Sequence, residues 1–297
     1  MMKKGLKINL VLLAVAFVLF ACSNKSNEQN TDTNTNSEVT NEQKDTKKET
    51  SSKNSSTKID QLMEETSDVN KGLDSFTMIE ETNTIETFQE EESHLYTKEA
   101  SDVVFEPFQL EVMIEQSQPK GFTEEEQQSF EYKGGFYIVD GKTYMKLDGD
   151  TWSETENSLT DEEFQEQELI VFDRITETYR NAAEKESLDE TEDTYVITFE
   201  LQPQQATKMD KNAEQPAFEA LNNTYKVEEM TVQIAIAKET KYIMEIAIDK
   251  TFTYDEDFNI EKDKMTVQQK QVQTFSNQNT IEAVTVPADI KQNAEPM

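Results

Sequence analysis

The sequence predicts an α+β protein in which a curved antiparallel sheet has its apolar face covered by helices. Three observations predict it. Past residue 58, apolar residues recur at every second position in run after run, as in Tyr195, Ile197, Phe199 and Leu201 or Met230, Val232, Ile234 and Ile236. That is the period of a half-buried strand. Neighbouring runs are joined by turn signals such as Asp140-Gly141, which makes them hairpins and therefore antiparallel. Helical periodicity is confined to a few places, and a sheet with one apolar face needs such helices to cover it.

The chain begins differently. Lys3, Lys4 and Lys7 form a basic start, and Ile8 to Phe20 is apolar except for Asn9. Such a run is short for a membrane span and has the layout of a secretory signal peptide over residues 1–21. It ends in Leu19-Phe20-Ala21-Cys22, which resembles the lipobox of bacterial lipoproteins, with Phe20 a departure from the usual pattern. The resemblance implies that the sulfur of Cys22 receives a diacylglycerol and that cleavage leaves Cys22 first. The competing reading is an ordinary secreted protein or an uncleaved anchor with an incidental cysteine. Ala16 to Ala21 also resembles leader tails processed into peptide pheromones. Cys22 is the sole cysteine, so no intramolecular disulfide forms.

Residues 22–57 follow as an anchored cysteine and a polar tether of Ser, Asn, Thr, Lys, Glu and Gln, with Val39 as its single aliphatic residue. So little apolar area cannot offset the entropy of ordering, and the segment is expected to be disordered. A flexible chain of about 35 residues reaches roughly 30–35 Å on average. Residues 58–297 are then a single β-rich domain, long enough for one sizeable core. The formal net charge is -33, and loss of the three leader lysines makes the mature chain more negative still. Such a surface repels nucleic acid and anionic head groups. It is a solvated face or, in the alternative, a surface for basic partners.

The elements follow in order. Ser56-Thr57 offers a helix cap before Ile59, Leu62, Met63, Thr66, Val69 and Leu73, and Gly72 a stop. A Thr- and Glu-rich strand runs from Phe76 to about Phe88, and the acidic stretch Glu80 to Glu106 gives no clear strand boundaries beyond it. Leu110, Val112 and Ile114 alternate. Phe130 and Tyr132 lead a strand to Val139, and Asp140-Gly141 turns it into Thr143, Met145 and Leu147. Asp148-Gly149 turns again towards Trp152. Thr160 and Glu163 form a capping box ahead of a helix carrying Phe164, Val171, Ile175, Tyr179 and Ala182. The strand Tyr195 to Leu201 precedes a helical insertion at Pro203, interrupted at Pro216 before Phe218 and Leu221. A closing meander comprises Met230 to Ile236, then Tyr242, Met244, Ile246 and Ile248, then a turn at Asp255 to Asn259, and then Met265 to Phe275. The segment Ile281 to Ile290 closes the chain. This amounts to about eight to ten strands with helices at three places.

Catalytic chemistry finds little support. His94 is the single histidine, set in a polar stretch, where neither a triad nor a histidine-rich metal site has its other members. The scattered glycines form no phosphate loop. Asp255, Asp257, Asn259, Glu261 and Asp263 alternate as a calcium loop begins, but Ile260 and Thr266 stand where glycine and glutamate belong, so an acidic turn is the simpler reading. Carboxylates are too abundant for any glycosidase-type pair to stand out. The expectation is no enzyme, no cofactor and no metal. Met113, Met145, Met230, Met244 and Met265 lie near strand centres, where adaptable thioethers either line an apolar cavity or fill an ordinary core. Trp152 joins them as a rim residue.

The lipobox, the tether, the opening helix, the hairpins with Asp140-Gly141 and Thr151-Trp152, and the closing Val284-Thr285-Val286-Pro287-Ala288-Asp289-Ile290 resemble an uncharacterised Gram-positive lipoprotein family. That family is related to the LolA-like and LppX-like proteins. The resemblance implies an incomplete β-barrel wrapped around helices and an apolar cavity for acyl chains. The function it implies is a monomeric, extracytoplasmic lipoprotein on the membrane of a Gram-positive-type cell, binding a hydrophobic or lipid ligand. The alternative is an interaction lipoprotein whose acidic surface meets basic envelope proteins, with no ligand cavity.

Overall fold

The computed structural model describes residues 49–120, 132–146, 151–156, 178–213, 225–254 and 265–296. Helix α1, Glu49–Asn70, opens them. It begins before the cap expected at Ser56-Thr57 and takes in the last residues assigned to the tether. The stretch holds neither glycine nor proline to stop a helix. The helix ends as expected, with Gly72 N–H donating to the Val69 carbonyl at 3.2 Å.

The strands are β1 Ser75–Phe88, β2 Glu91–Phe105, β3 Phe108–Lys120, β4 Tyr132–Val139, β5 Lys142–Lys146, β6 Ser153–Glu156, β7 Ala183–Glu190, β8 Thr194–Leu201, β9 Tyr225–Ala237, β10 Ile243–Tyr254, β11 Met265–Ser276 and β12 Glu295–Pro296. Helix α2, Pro203–Ala213, lies between β8 and β9, and α3, Ala288–Asn293, precedes β12. All twelve strands form one sheet, ordered β12-β6-β5-β4-β3-β2-β1-β11-β10-β9-β8-β7. Two meanders, β1 to β6 and β7 to β11, are joined by the antiparallel β1–β11 ladder from Thr77↔Ser276 to Thr87↔Thr266. Among the described residues the sheet does not close, and β7 and β12 stand at its edges.

Two strands were not legible beforehand. The acidic stretch after Phe88 is β2, joined to β1 by a tight hairpin in which Gln89 and Glu90 take φ of 49° and 70°. Glycine or asparagine normally marks such a turn, so the sequence carries no flag for it. Strand β7 is a charged edge strand, held in register by β8 from Ala183↔Leu201 to Glu190↔Tyr195. The predicted Asp140-Gly141 turn is present, with φ of 56° and 73°. The capping box at Thr160, most of the helix behind it, the Asp148-Gly149 turn, the Pro216 segment and the Asp255 to Asp263 turn lie outside the described residues.

Alternation assigns the side chains to two faces. On the inner face, Ile59 and Leu62 of α1, Ala182 and Ala206 pack with Ile197, Phe199, Val232, Ile234, Ile246 and Val267. Helix cover therefore sits over the β7 to β10 part of the sheet. A second inner cluster joins Val103, Phe105, Leu110, Val112, Ile114, Phe136 and Ile138. The outer face carries the third cluster, where Val104, Tyr137, Val139 and Tyr144 meet Val284, Val286 and Ile290 of the closing segment. That segment is tied down as it crosses. Ile281 N–H donates to Ser75 Oγ at 3.1 Å, Val284 N–H to Gln109 Oε1 at 2.7 Å and Glu295 N–H to the Trp152 carbonyl at 2.9 Å.

Candidate functional site

The six apolar candidates do not form one lining. Met145, Met230 and Met265 lie on the inner face. Met145 pairs with Phe136, and Phe136 with Val112, which places it beside the second cluster. Met230 is buried in the first cluster, and Met265 packs half-buried against it. Met113 and Trp152 belong to the outer face. Met113 pairs with Ala100 and Gly135, and the bare glycine gives it room, since a Cβ on Gly135 would lie 2.8 Å from the Met113 sulfur. Trp152 packs on Tyr137 with ring centroids 5.6 Å apart. Alternation from Leu110 already separated Met113 from the core set, so its place follows from the pleat.

Met244 departs from its expected phase. A register shift between Ile243 and Glu245 inserts it as an extra residue of β10. Ile243 and Ile246 point to the core instead of Tyr242 and Met244. A bulge of this kind re-aims a side chain. Met244 reaches a surface depression of about 740 Å³ that Glu192, Asp193, Lys238, Tyr242 and Gln278 also line. Beside it the Nζ atoms of Lys58, Lys238 and Lys241 lie 5.3, 5.1 and 4.8 Å from the Tyr195 ring centroid. Glu190 pairs with Lys58 and Lys238, and its carboxyl is held below the usual range, chiefly by the Lys58 hydrogen bond.

Between the two inner clusters the face is polar. Across the β11–β1–β2 registers, Gln273, Glu80 and Glu99 form one row, Gln271, Thr82 and Thr97 the next, and Gln269, Thr84 and Leu95 a third. Gln273 Nε2 donates to Glu80 Oε2 at 2.7 Å and Gln269 Nε2 to Thr84 Oγ1 at 3.3 Å. Ser101 Oγ donates to Glu99 Oε1 at 3.1 Å and Ser93 Oγ to Glu86 Oε2 at 3.3 Å. Glu99 is 7% exposed and Thr84 8%. Burial raises the carboxyl pKa of Glu86. Apolar alternation does not mark this panel, although Gln269, Gln271 and Gln273 recur at the same strand period.

His94 sits half-buried on the outer face of β2, opposite Ile85, with Nε2 3.7 Å from Glu92. Among the described residues no group of three His, Cys, Asp or Glu side chains is placed to hold a metal ion. No described helix is long and apolar enough to cross a membrane. Cys22 lies outside the described residues.

Residues 58–295 match DUF6612, a family of unknown function. The chain belongs to that family. No curated protein matches it in sequence. The crystal structure of LprF from Mycobacterium bovis is similar at 13% identity and a TM-score of 0.40, covering 78% of this chain and 97% of that one. The DUF6612 match spans β1 to β11 and the outer-face closing segment, so both faces of the sheet fall within the family's extent.

Proposed function

We propose that the protein is an extracytoplasmic lipoprotein, held at the membrane through a diacylglycerol on Cys22, whose domain binds or carries a hydrophobic or lipid ligand on the inner face of a LolA- or LppX-like sheet. It acts by binding and not by catalysis. The observation that carries this reading is the inner face of an unclosed sheet, where Met145 and Met265 stay half-buried beside packed clusters. Thioethers in such positions adapt to irregular chains, and the tether keeps the domain near the lipid supply. The full chain carrying Cys22→Ser, exported and purified without detergent, is the material for the test. Native mass spectrometry and lipid extraction are expected to find a copurifying acyl species. Met265→Trp, which fills space on that face, is expected to cut its occupancy about tenfold. A protein free of acyl species that also ignores added lipid ends this reading.

The net charge of -33 favours a second reading, an acidic surface that meets basic envelope proteins. Crosslinking in intact cells tests it. A partner that is lost at about 0.15 M salt is held by nonspecific attraction alone.

A further inference from the structure

The polar panel at the centre of the inner face is not something the sheet needs. Apolar side chains fill inward strand positions at least cost, whereas here Glu99, Thr84 and Ser101 are buried and the rest of the panel is half-buried. Yet β11 sets Gln269, Gln271 and Gln273 on this face, β1 sets Glu80 and Glu86, and β2 sets Glu99. The panel is mixed in chemistry. Carboxylates accept, amides both donate and accept, and the hydroxyls of Thr84, Ser93 and Ser101 do either. Its flanks are apolar, with Ile246 and Ile248 beside Gln273 and Gln271, and Val267 beside Glu86. Among the described strand residues, Lys250 is the cation on this face, in one row between Met230 and Gln269.

We infer that the ligand of this face is an amphiphile with an uncharged, hydroxyl-bearing head group, seated on Glu80, Glu86, Glu99, Gln269, Gln271 and Gln273 while its chain runs towards Met230 and Met265. The inference rests on the lipid-binding reading above and names the head group that reading leaves open. A hydroxyl donates to a carboxylate and accepts from an amide in the same contact, so it uses both halves of the panel. An anionic head group meets three carboxylates and is repelled. An ammonium only donates, which leaves the amide donors of β11 without a new acceptor.

The test uses the full chain with Cys22→Ser and four probes that share one acyl length: monomyristoylglycerol, myristic acid, myristylamine and methyl myristate. Titration calorimetry near pH 7 is expected to find monomyristoylglycerol bound about tenfold more tightly than each of the others. Gln271→Leu is expected to remove most of that preference and to leave methyl myristate unchanged. The paired change Glu80→Leu with Gln273→Leu should do the same without orphaning either partner. Thermal melts of each variant confirm that it is folded. Equal binding of all four probes, a preference for the acid or the amine, or a preference that survives both variants overturns the head-group assignment and leaves lipid binding standing. Failure of every probe to bind overturns lipid binding itself and this inference with it.

Discussion

Two stretches of the inner face differ in chemistry although one ladder of hydrogen bonds runs through both. Across β8, β9 and β10 the inward positions are apolar except for Lys250 at the border of the panel, and Phe199, Ile197, Val232 and Ile234 are fully buried beneath α1 and α2. Across the middle of β11, β1 and β2 the inward positions are Gln, Glu and Thr with Leu95 among them, and apolar residues such as Val267 and Val103 return towards the strand ends. Backbone pairing is indifferent to this change, because the hydrogen bonds of a sheet are made by groups common to every residue. Side-chain burial is not indifferent. The first stretch has the composition of a core that stabilises the fold, and the second has the composition of a surface that contacts something polar.

The largest effect expected from that contrast is Phe199→Ala. Removing a ring that is 0% exposed should cost about 3–5 kcal/mol in a denaturant titration. A loss near 1 kcal/mol would mean that the helices do not seal this stretch, and the distinction between the two regions would fade.

A smaller effect is expected in the panel. Thr84→Val together with Gln269→Leu removes both partners of one hydrogen bond and should change stability by no more than about 1 kcal/mol, in either direction. Losses several times larger in the same titration would show that the panel supports the fold as the apolar stretch does.

The sequence made the apolar stretch readable and hid much of the rest, for physical reasons. Tyr195, Ile197, Phe199 and Leu201 announce β8 because burial on one face forces the alternation. Strand β7 carries Glu184, Lys185, Glu186, Asp189 and Glu190. Those charges suit a sheet edge, and by themselves they look like loop. Strand β2 was hidden because its inner face is polar and its turn, Gln89-Glu90, lacks the residues that usually accept positive φ. The bulge at Met244 leaves no mark in composition, so alternation reads Tyr242, Met244, Ile246 and Ile248 as one row, whereas Ile243 takes the core position ahead of Ile246. The site was legible only in part. Met145, Met230 and Met265 share the inner face, while Met113 obeys the opposite parity of its own strand. Gln269, Gln271 and Gln273 recur at period two, and a polar row of that kind has the composition of a solvent-facing one.

The smallest effect is also the one that tells what kind of polar surface the panel is. Burial raises the Glu86 carboxyl above the ordinary value of 4.5. Its register neighbours on the same face are Ser93 and Val267, neither of which is cationic. A carboxyl raised on folding favours the fold when protonated. That contribution is fully present below 4.5 and is lost as the pH rises through the raised value. Glu86→Gln is neutral at every pH, so it should melt at a higher temperature than the parent near pH 7. The advantage should shrink as the pH falls and vanish at about pH 4, where both side chains are uncharged. Melts across that range decide the matter. A variant that is less stable than the parent near pH 7 would mean that Glu86 is held ionised by a cation, and the panel would then be an ion-pairing surface and not a seat for neutral hydroxyls.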